Sequence, residues 1–275
     1  MRRLLRVCLL ALLTGCSAVE FAYDNADSYL RWQAGRYLEL DNAQADEFNA
    51  RLAAFLAWHR STALPQYASL AGEASGRLER GASLQDMVWG YDAIRQQTRE
   101  GLRRVGAETG DFLDRLTPAQ IGQIERRFAE DNRKFAREWL EATPTAQRAR
   151  RLKRLTHALE DWLGELNDAQ LERVRQFNET APLNGGMRDR ERRRRQAEFV
   201  AMLRARGSAR RLADWAAQWD RGRDAAFVRA NRELTDGLLA MLADLERTLS
   251  PRQRVVAVAR LRKYARDFDL LAAAR

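Results

Sequence analysis

The stretch Leu116-Thr117-Pro118-Ala119-Gln120 has the form of a helix start, and three related stretches occur elsewhere in the chain. Each begins with leucine, continues with a residue that can cap a helix, and ends with glutamine; the capping residues are Asp41, Thr117, Asn167 and Ser250. A capping side chain accepts a hydrogen bond from a backbone N–H of the first turn, and the glutamine three residues later can bond the cap's own N–H. The four stretches therefore predict four helix starts.

The sequence between these starts has helical periodicity almost throughout. After Ser83, a further predicted cap, one stripe recurs at three- and four-residue steps: Met87, Tyr91, Ile94, Thr98, Leu102 and Val105. Spacing of this kind places side chains on one face of a helix. The sequence has no β-type alternation and no glycine-rich phosphate loop, so we predict an all-α fold, a bundle of about eight or nine helices. Pro65 predicts a kink or break within one of them.

Two features organise the C-terminal part of the chain. Pro182-Leu183-Asn184-Gly185-Gly186 predicts a hinge near 182–186, between an N-terminal helical region, 16–183, and a C-terminal helical region, 187–275. Beyond it, Ser208 is predicted to cap a helix whose apolar seam continues to Leu249. If unbroken, that helix is about 60 Å long at ~1.5 Å per residue.

Residues 1–15 have the form of a cleaved signal peptide. Arg2, Arg3 and Arg6 precede an apolar run, 7–13, that is too short to span a bilayer as a helix. Leu13-Thr14-Gly15-Cys16 resembles the lipobox of bacterial lipoproteins. The resemblance implies that Cys16 carries a lipid after cleavage. Ser17 is similar to the residue that accompanies sorting to the outer membrane, which implies a lipid-anchored protein facing the periplasm.

A second resemblance covers nearly the whole chain. Tyr23-Asp24-Asn25-Ala26-Asp27 follows the lipobox, and Trp58-His59-Arg60 is followed closely by Leu64-Pro65-Gln66-Tyr67. These blocks resemble a family of proteobacterial lipoproteins that carries only a domain-of-unknown-function label. The resemblance implies a class and an address, and it brings no catalytic residue with it.

A third resemblance is local. Leu116-Thr117-Pro118-Ala119-Gln120 is similar to the Leu-Thr-x-x-Gln signature of periplasmic stress chaperones of the Spy and CpxP type, which are helical cradles that hold unfolding clients. The other three copies replace the threonine with Asp41, Asn167 or Ser250. Four capped helix starts would produce the same pattern without any shared function.

The residues offer few candidates for chemistry. Cys8 and Cys16 are the only cysteines, and His59 and His157 are the only histidines; neither histidine lies in a metal-binding motif. Glu160 and Asp161 could give His157 a weak surface metal contact, but we expect no metal and no cofactor. The polar and aromatic residues that could line a pocket are Trp58, His59, Arg60 and Tyr67.

A basic run provides the other candidate binding site. The chain has 48 Lys and Arg against 38 Asp and Glu, a formal charge of +10, and Arg188, Arg192 and Arg195 fall on one helical face. Such a cluster can bind anionic lipid or lipopolysaccharide. A solvated helix start explains the same residues. Because cations are unfavourable at a helix N-terminus, we expect these arginines to have partners or the first turn to fray.

These observations favour a lipid-anchored envelope protein that binds other molecules without turning them over, with a chaperone-like or adaptor role as the most concrete version. Envelope proteins, anionic lipid or lipopolysaccharide are the expected partners, the membrane is contacted through the lipid, and no nucleic acid is expected. One alternative is an envelope enzyme with a site near Trp58–Tyr67, which needs a cleft holding His59 and a carboxylate. Another is a structural spacer built on a projecting 208–249 helix.

Overall fold

The computed structural model describes residues 18–140 and 142–274, and these form an all-helical protein. The Leu13–Cys16 stretch lies outside the described residues. The α-helices are α1 Ala18–Asp24, α2 Ala26–Leu38, α3 Asn42–Trp58, α4 Leu64–Glu79, α5 Leu84–Asp114, α6 Pro118–Phe135, α7 Pro144–Leu163, α8 Asp168–Thr180, α9 Gly185–Arg204, α10 Ser208–Ala217, α11 Ala225–Glu246 and α12 Pro251–Ala273. Two π-helical segments, π1 His59–Ala63 and π2 Ala136–Leu140, continue α3 and α6. The all-α prediction is confirmed, and none of the described helices is long and apolar enough to cross a membrane.

All four predicted helix starts are confirmed with complete capping boxes. The backbone N–H of Gln44 donates to Asp41 at 2.8 Å, and that of Gln170 donates to Asn167 at 2.9 Å. Thr117 and Ser250 accept in the same way at the starts of α6 and α12. In each box the glutamine side chain accepts a bond from the cap's backbone N–H, so two donors of the first turn are satisfied together.

The four starts come together in two pairs, which their sequences do not predict. Gln44 and Gln120 are hydrogen-bonded to each other, and Gln170 and Gln253 exchange two amide bonds of 3.0 Å. Gln120, Gln170 and Gln253 also donate to backbone carbonyls of Glu39, Thr248 and Glu165 respectively. Each pair therefore joins helix starts that lie about 80 residues apart, with separations of 76 and 83.

Each of the two apolar cores draws on both sides of the predicted hinge. One consists of Phe112, Leu116, Ile121, Ile124, Val200 and Leu203. The other consists of Leu159, Leu166, Val174, Met241 and Leu245. The break between α8 and α9 covers residues 181–184, and Gly185 and Gly186 already belong to α9. Movement at this hinge stays a prediction, but the regions before and after it share their cores.

The single long helix predicted over 208–249 is wrong. The chain leaves α10 after Ala217 and starts α11 at Ala225. Gly222 in the intervening turn has a φ of +69°, a conformation that glycine adopts without strain, and the Asp224 side chain accepts from Phe227 N–H to cap α11. The longest described helix is α5, with 31 residues. The spacer hypothesis therefore loses the projecting rod on which it depended.

Ser208 is not the cap predicted for the helix that follows it. Gly207 occupies the cap position, and the Asp114 carboxylate accepts from the backbone N–H groups of Ser208 and Ala209, at 2.7 and 3.0 Å. This contact is possible because α5 and α10 approach closely. A Cβ added at Gly110 would lie 2.7 Å from the Ser208 carbonyl oxygen, so glycine is required there.

Candidate functional site: an apolar groove

An open apolar groove lies between α4, α5 and α12. Its cavity volume is about 410 Å³, within the range of ligand-binding clefts. Its lining consists of Tyr67, Leu70, Ala71, Ala74, Trp89, Gly90, Ala93, Ile94, Gln97, Thr98, Leu261, Tyr264 and Phe268. Only Gln97 and Thr98 end in an amide or an aliphatic hydroxyl, and the Thr98 hydroxyl donates to the Ile94 carbonyl at 2.8 Å. The groove therefore offers mainly apolar and aromatic contacts.

Local sequence explains the shape of the groove. Residues 71, 74, 90 and 93 are alanine or glycine, so α4 and α5 present little side-chain volume between them. Larger rings from Tyr67, Trp89 and Phe268 form its walls. Small residues beside aromatic walls leave a depression that this chain's own side chains do not fill.

Part of the predicted α5 stripe faces solvent instead of a core. Ile94 is 68% exposed and Val105 is 38% exposed. For Ile94 the reason is its position in the groove, where no helix of the described chain covers it. Single exposed apolar residues are common on protein surfaces. Ile94, however, lies in a continuous apolar depression, which is typical of a binding surface.

The π1 segment places Tyr67 in the groove. The Leu64 N–H donates to the His59 carbonyl, five residues back, as π-helical geometry requires. Pro65, the second residue of α4, has no N–H to contribute, and the extra residue in this turn absorbs the disturbance without a break. The predicted kink is thus a π bulge, and it sets the direction of the helix that carries Tyr67.

His59 lies behind the groove wall within an aromatic cluster. Its ring is 5.5 Å from Tyr67, 6.0 Å from Phe55 and 6.3 Å from Trp58, between ring centroids. The Tyr23 hydroxyl lies 3.4 Å from Nδ1. Burial lowers the pKa of His59 and raises the pKa of Tyr67, because it penalises the charged form of each. No carboxylate of the described residues forms an ion pair or hydrogen bond with His59, so the dyad that the enzyme hypothesis needs is not present there.

Arg60 and Trp58 support this cluster without lining the groove. The Arg60 guanidinium lies 5.5 Å from the ring centroid of Tyr23 and donates to the Ala274 carbonyl at 3.1 Å, which ties α1 and the end of α12 to π1. Trp58 packs against Phe55 at 5.7 Å and lies under the Arg104 guanidinium. Of the four predicted residues, the structure places only Tyr67 in the groove lining.

The rim of the groove is fixed by a charged contact at the start of α5. The Arg77 guanidinium lies 4.1 Å from the ring centroid of Trp89 and pairs with Asp86. Asp86 also accepts from the hydroxyl and the backbone N–H of Ser83, the confirmed cap of α5. These bonds, the Ser83 hydroxyl first, lower the pKa of Asp86 to about 2.

Two of the three arginines of the predicted basic face have partners inside the protein. Arg192 pairs with Asp189 at 2.9 Å and lies over the ring of Phe135 at 4.2 Å. Arg195 lies 3.5 Å from the ring centroid of Trp215 and donates to the Trp215 carbonyl at 2.8 Å. Arg188 is exposed. The expected partners for this helix start are therefore present, and they are acidic and aromatic side chains of the same chain.

A buried carboxylate, Glu191, holds the centre of this region. It is 8% exposed, bonds the Arg194 guanidinium and lies 3.9 Å from Arg223 Nε. Burial lowers the pKa of both Arg195 and Arg223. The run at 188–195 thus forms a network of ion pairs in which Glu191 neutralises the partly buried guanidinium groups of Arg194 and Arg223.

A cationic depression of about 470 Å³ lies on the solvent side of this network, and the sequence did not predict it. Five arginines contribute, against two acids in the lining: Arg194, Arg195, Arg210, Arg211, Arg221, Glu198 and Asp214. Arginines from α9, α10 and the turn after α10 meet here only because of the break at 218–224, which the sequence did not indicate.

The described residues contain no group of three His, Cys, Asp or Glu side chains placed to hold a metal ion. His157 Nε2 lies 3.8 Å from Asp161, and both side chains are exposed, at 76% and 60%. This is a single solvated contact between residues four apart on α7.

Comparison with known proteins places the chain in one family. A family model described as "Family of unknown function (DUF6279)" matches residues 36–221. The match includes the Trp58–Tyr67 block, the Thr117 capping box and the 188–195 run, while α1 and α12 fall outside it. No curated protein and no solved structure matches the chain. The protein therefore belongs to DUF6279, a family of unknown function.

Proposed function

We propose that this protein is a lipid-anchored, non-catalytic protein of the cell envelope that binds apolar segments of unfolded polypeptides in the groove between α4, α5 and α12. The observation that carries the proposal is the groove itself, which is continuous, apolar, open to solvent and unfilled by the described chain. Binding of apolar side chains there removes Ile94 and its neighbours from water, which contributes about 25 cal/mol per Å² of apolar area buried.

The shape of the groove favours a polypeptide as its ligand. Ile94 is 68% exposed, so the site is a shallow open surface and not an enclosed tunnel of the kind that shields a whole acyl chain. Alanine and glycine at 71, 74, 90 and 93 allow another backbone to approach closely. A segment with apolar side chains on one face, laid along three helices, matches this geometry.

Charge supports the same ligand class. The formal charge of +10 falls to +7 when residues 1–15 and their three arginines are removed (45 Lys and Arg against 38 Asp and Glu). This charge attracts acidic polypeptides at long range and discourages self-association. Few charged groups lie in the groove, so contact within it depends on apolar burial. Electrostatic attraction and apolar contact are therefore supplied by different parts of the surface, as expected for a protein that holds varied clients.

The groove is tested by aggregation assays with the chain from Ser17 onward, which contains every described residue. We expect near-stoichiometric suppression of the aggregation of an unfolded client, and loss of most of that suppression in Ile94→Ser. Val255→Ser is the matched control, because Val255 is 67% exposed on α12 but does not line the groove. No suppression by the wild type at tenfold excess, or equal loss in both variants, would overturn the proposal.

The proposed anchor is tested separately in cells. Full-length protein should incorporate a labelled fatty acid, and Cys16→Ser should abolish the label. Labelling that persists in this variant would contradict the lipobox interpretation. Because Cys8 lies in the proposed signal, Cys8→Ser serves as the control and should leave labelling unchanged.

A further inference from the structure

Three aromatic side chains on the first two helices face solvent. Phe21 is 67% exposed, Tyr29 is 56% exposed and Trp32 is 57% exposed. They are the aromatic residues with large exposed surfaces in the described chain. None of them lines the apolar groove or the cationic depression.

These side chains form one stripe despite the turn between α1 and α2. Helical hydrogen bonds continue across it: Asn25 N–H donates to Phe21 at 3.3 Å, and Tyr29 N–H donates to Asn25 at 3.0 Å. Asn25 itself has a helical backbone conformation. At 3.6 residues per turn, 11 residues make about three turns, so Trp32 lies in line with Phe21. Tyr29 lies about 80° around the helix from Phe21, at one side of the same face.

The rest of this face is nearly free of charge. The other exposed residues on it are Asn25, Ser28 and Gly35, while the charged residues Asp24 and Arg31 lie at its edge. Arg36 stacks over the Trp32 ring at 5.0 Å. Aromatic rings with small polar neighbours and a flanking arginine are typical of segments that lie in the headgroup region of a bilayer.

The stripe lies next to the proposed lipid site in the chain. Only Ser17 separates Cys16 from Ala18, the first residue of α1, and the two steps along the chain span at most about 7 Å. Phe21 is three residues further, about 4.5 Å along the helix axis. If the acyl chains of Cys16 enter the bilayer, Phe21 is held within reach of the headgroups.

We propose that the exposed face of α1 and α2, carried by Phe21, Tyr29 and Trp32, docks on the bilayer that holds the lipid of Cys16. The inference rests on the anchor part of the proposed function. Three rings about 60% exposed offer roughly 350 Å² of surface, less than one side of a standard protein interface, which disfavours a second copy as the occupant. Docking fixes the orientation of the body at the membrane, which a single flexible lipid attachment would leave free.

The test uses the unlipidated chain from Ser17 onward, so that the stripe is measured without the anchor. Partition onto phosphatidylcholine vesicles, with and without phosphatidylglycerol, is compared for the wild type, the triple variant Phe21→Ser, Tyr29→Ser, Trp32→Ser, and a control triple variant. The control is Leu84→Ser, Val255→Ser, Val256→Ser, which removes exposed aliphatic side chains elsewhere. Circular dichroism melting establishes that both variants are folded.

We expect the stripe variant to lower partition by about tenfold on both kinds of vesicle, and the control to stay within about twofold of the wild type. Absence of wild-type binding, or equal loss in both variants, overturns the inference. The inference is also overturned if the wild type forms a dimer in analytical ultracentrifugation, and the stripe variant loses this dimer but binds vesicles as the wild type does. That result would assign the face to a second copy of the chain.

Failure of the proposed function would be distinguishable from failure of this inference. If the groove binds no client, vesicle partition by the stripe is unaffected, since the two surfaces share no lining residue. If Cys16 takes no acyl label, the unlipidated chain still reports on the stripe. In the lipidated full chain, fluorescence quenching by spin-labelled lipid should fall in Trp32→Phe; unchanged quenching would show that Trp32 does not reach the bilayer.

Discussion

The groove between α4, α5 and α12 and the arginine run at 188–195 are opposite kinds of surface. The run stands out in the sequence, yet in the folded protein Arg192, Arg194 and Arg195 bond acidic or aromatic groups of the same chain. The groove is inconspicuous in the sequence, yet in the folded protein no other part of the described chain covers Ile94 and the aromatic rings that line it. A run of charged residues can thus be paired within the folded protein, while a candidate binding surface can arise where small residues from separate helices meet.

The largest expected effect comes from removing the buried acid of the run. Glu191→Gln takes the negative charge away from Arg194 and Arg223. Arg194 keeps its pair with Glu198, but Arg223 is left as an uncompensated cation in a poorly solvated site. We expect a loss of about 3 kcal/mol in the free energy of unfolding, measured by denaturant titration. Glu172→Gln is the control, because its pair with Arg175 is exposed, and it should cost less than about 0.5 kcal/mol. Similar losses in both variants would mean that the run is a solvated surface after all.

A smaller effect is expected where an arginine stacks on a ring. Arg195→Met removes the contact with Trp215 and the hydrogen bond to its carbonyl, and should cost about 1 kcal/mol. Arg188→Met alters an exposed residue of the same run and should stay within about 0.5 kcal/mol. A larger loss in Arg188→Met than in Arg195→Met would mean that Arg188 has a partner within the protein, contrary to its exposure.

The rim of the groove responds to the cap of α5. Ser83→Ala removes the hydroxyl that caps the helix and bonds Asp86, and a lost cap typically costs about 1 kcal/mol. Unfolding melts at neutral pH measure this loss. Thr143→Ala, at a cap far from the groove in sequence, is the comparison for cap loss alone.

The hydrogen bonds between Ser83 and Asp86 also predict how stability depends on pH. The folded pKa of Asp86 is about 2, below its ordinary value of 3.8, so its contribution to stability is present above pH 4 and is lost as the pH falls through 3.8 towards 2. Ser83→Ala should move the pKa of Asp86 upwards, since the Ser83 hydroxyl is the first cause of the shift. An NMR titration of the Asp86 carboxyl measures this pKa. An unchanged value in the variant would assign the lowered pKa to the backbone N–H of residue 83 and to Arg77 instead.

The sequence predicted the helix starts well because each depends on a contact within four residues. Asp41, Thr117, Asn167 and Ser250 all cap as expected, since the box is closed by a glutamine three residues away. The prediction of a helix cap was wrong where a residue distant in sequence supplied the hydrogen-bond acceptor. Ser208 has the side chain of a helix cap, but Asp114, 94 residues earlier, supplies the acceptor. The pairing of the glutamines and the meeting of arginines in the cationic depression are long-range in the same way.

The candidate site was only partly predictable for the same reason. Tyr67 was identified because it lies in a conspicuous local block with His59, but the block proved to be mainly an aromatic support behind the groove. Trp89 and Phe268 join Tyr67 only through the packing of three helices. One signal was available in the sequence: Ile94 and Thr98 share the α5 stripe with polar or small neighbours, a combination that a fully buried face would not favour.

The smallest effect on stability should come from the residue most important to the groove. Ile94 is 68% exposed, so Ile94→Ser forfeits little buried area and should change the free energy of unfolding by less than about 0.5 kcal/mol. The same substitution should weaken binding of a neutral apolar dye, because bound ligand covers the side chain that the free protein leaves in water. Leu64→Ser, at 1% exposure, should instead destabilise strongly by denaturant titration. A large loss of stability in Ile94→Ser would mean that this chain covers the groove in solution. The groove would then be satisfied by contacts within the protein, as the arginine run is.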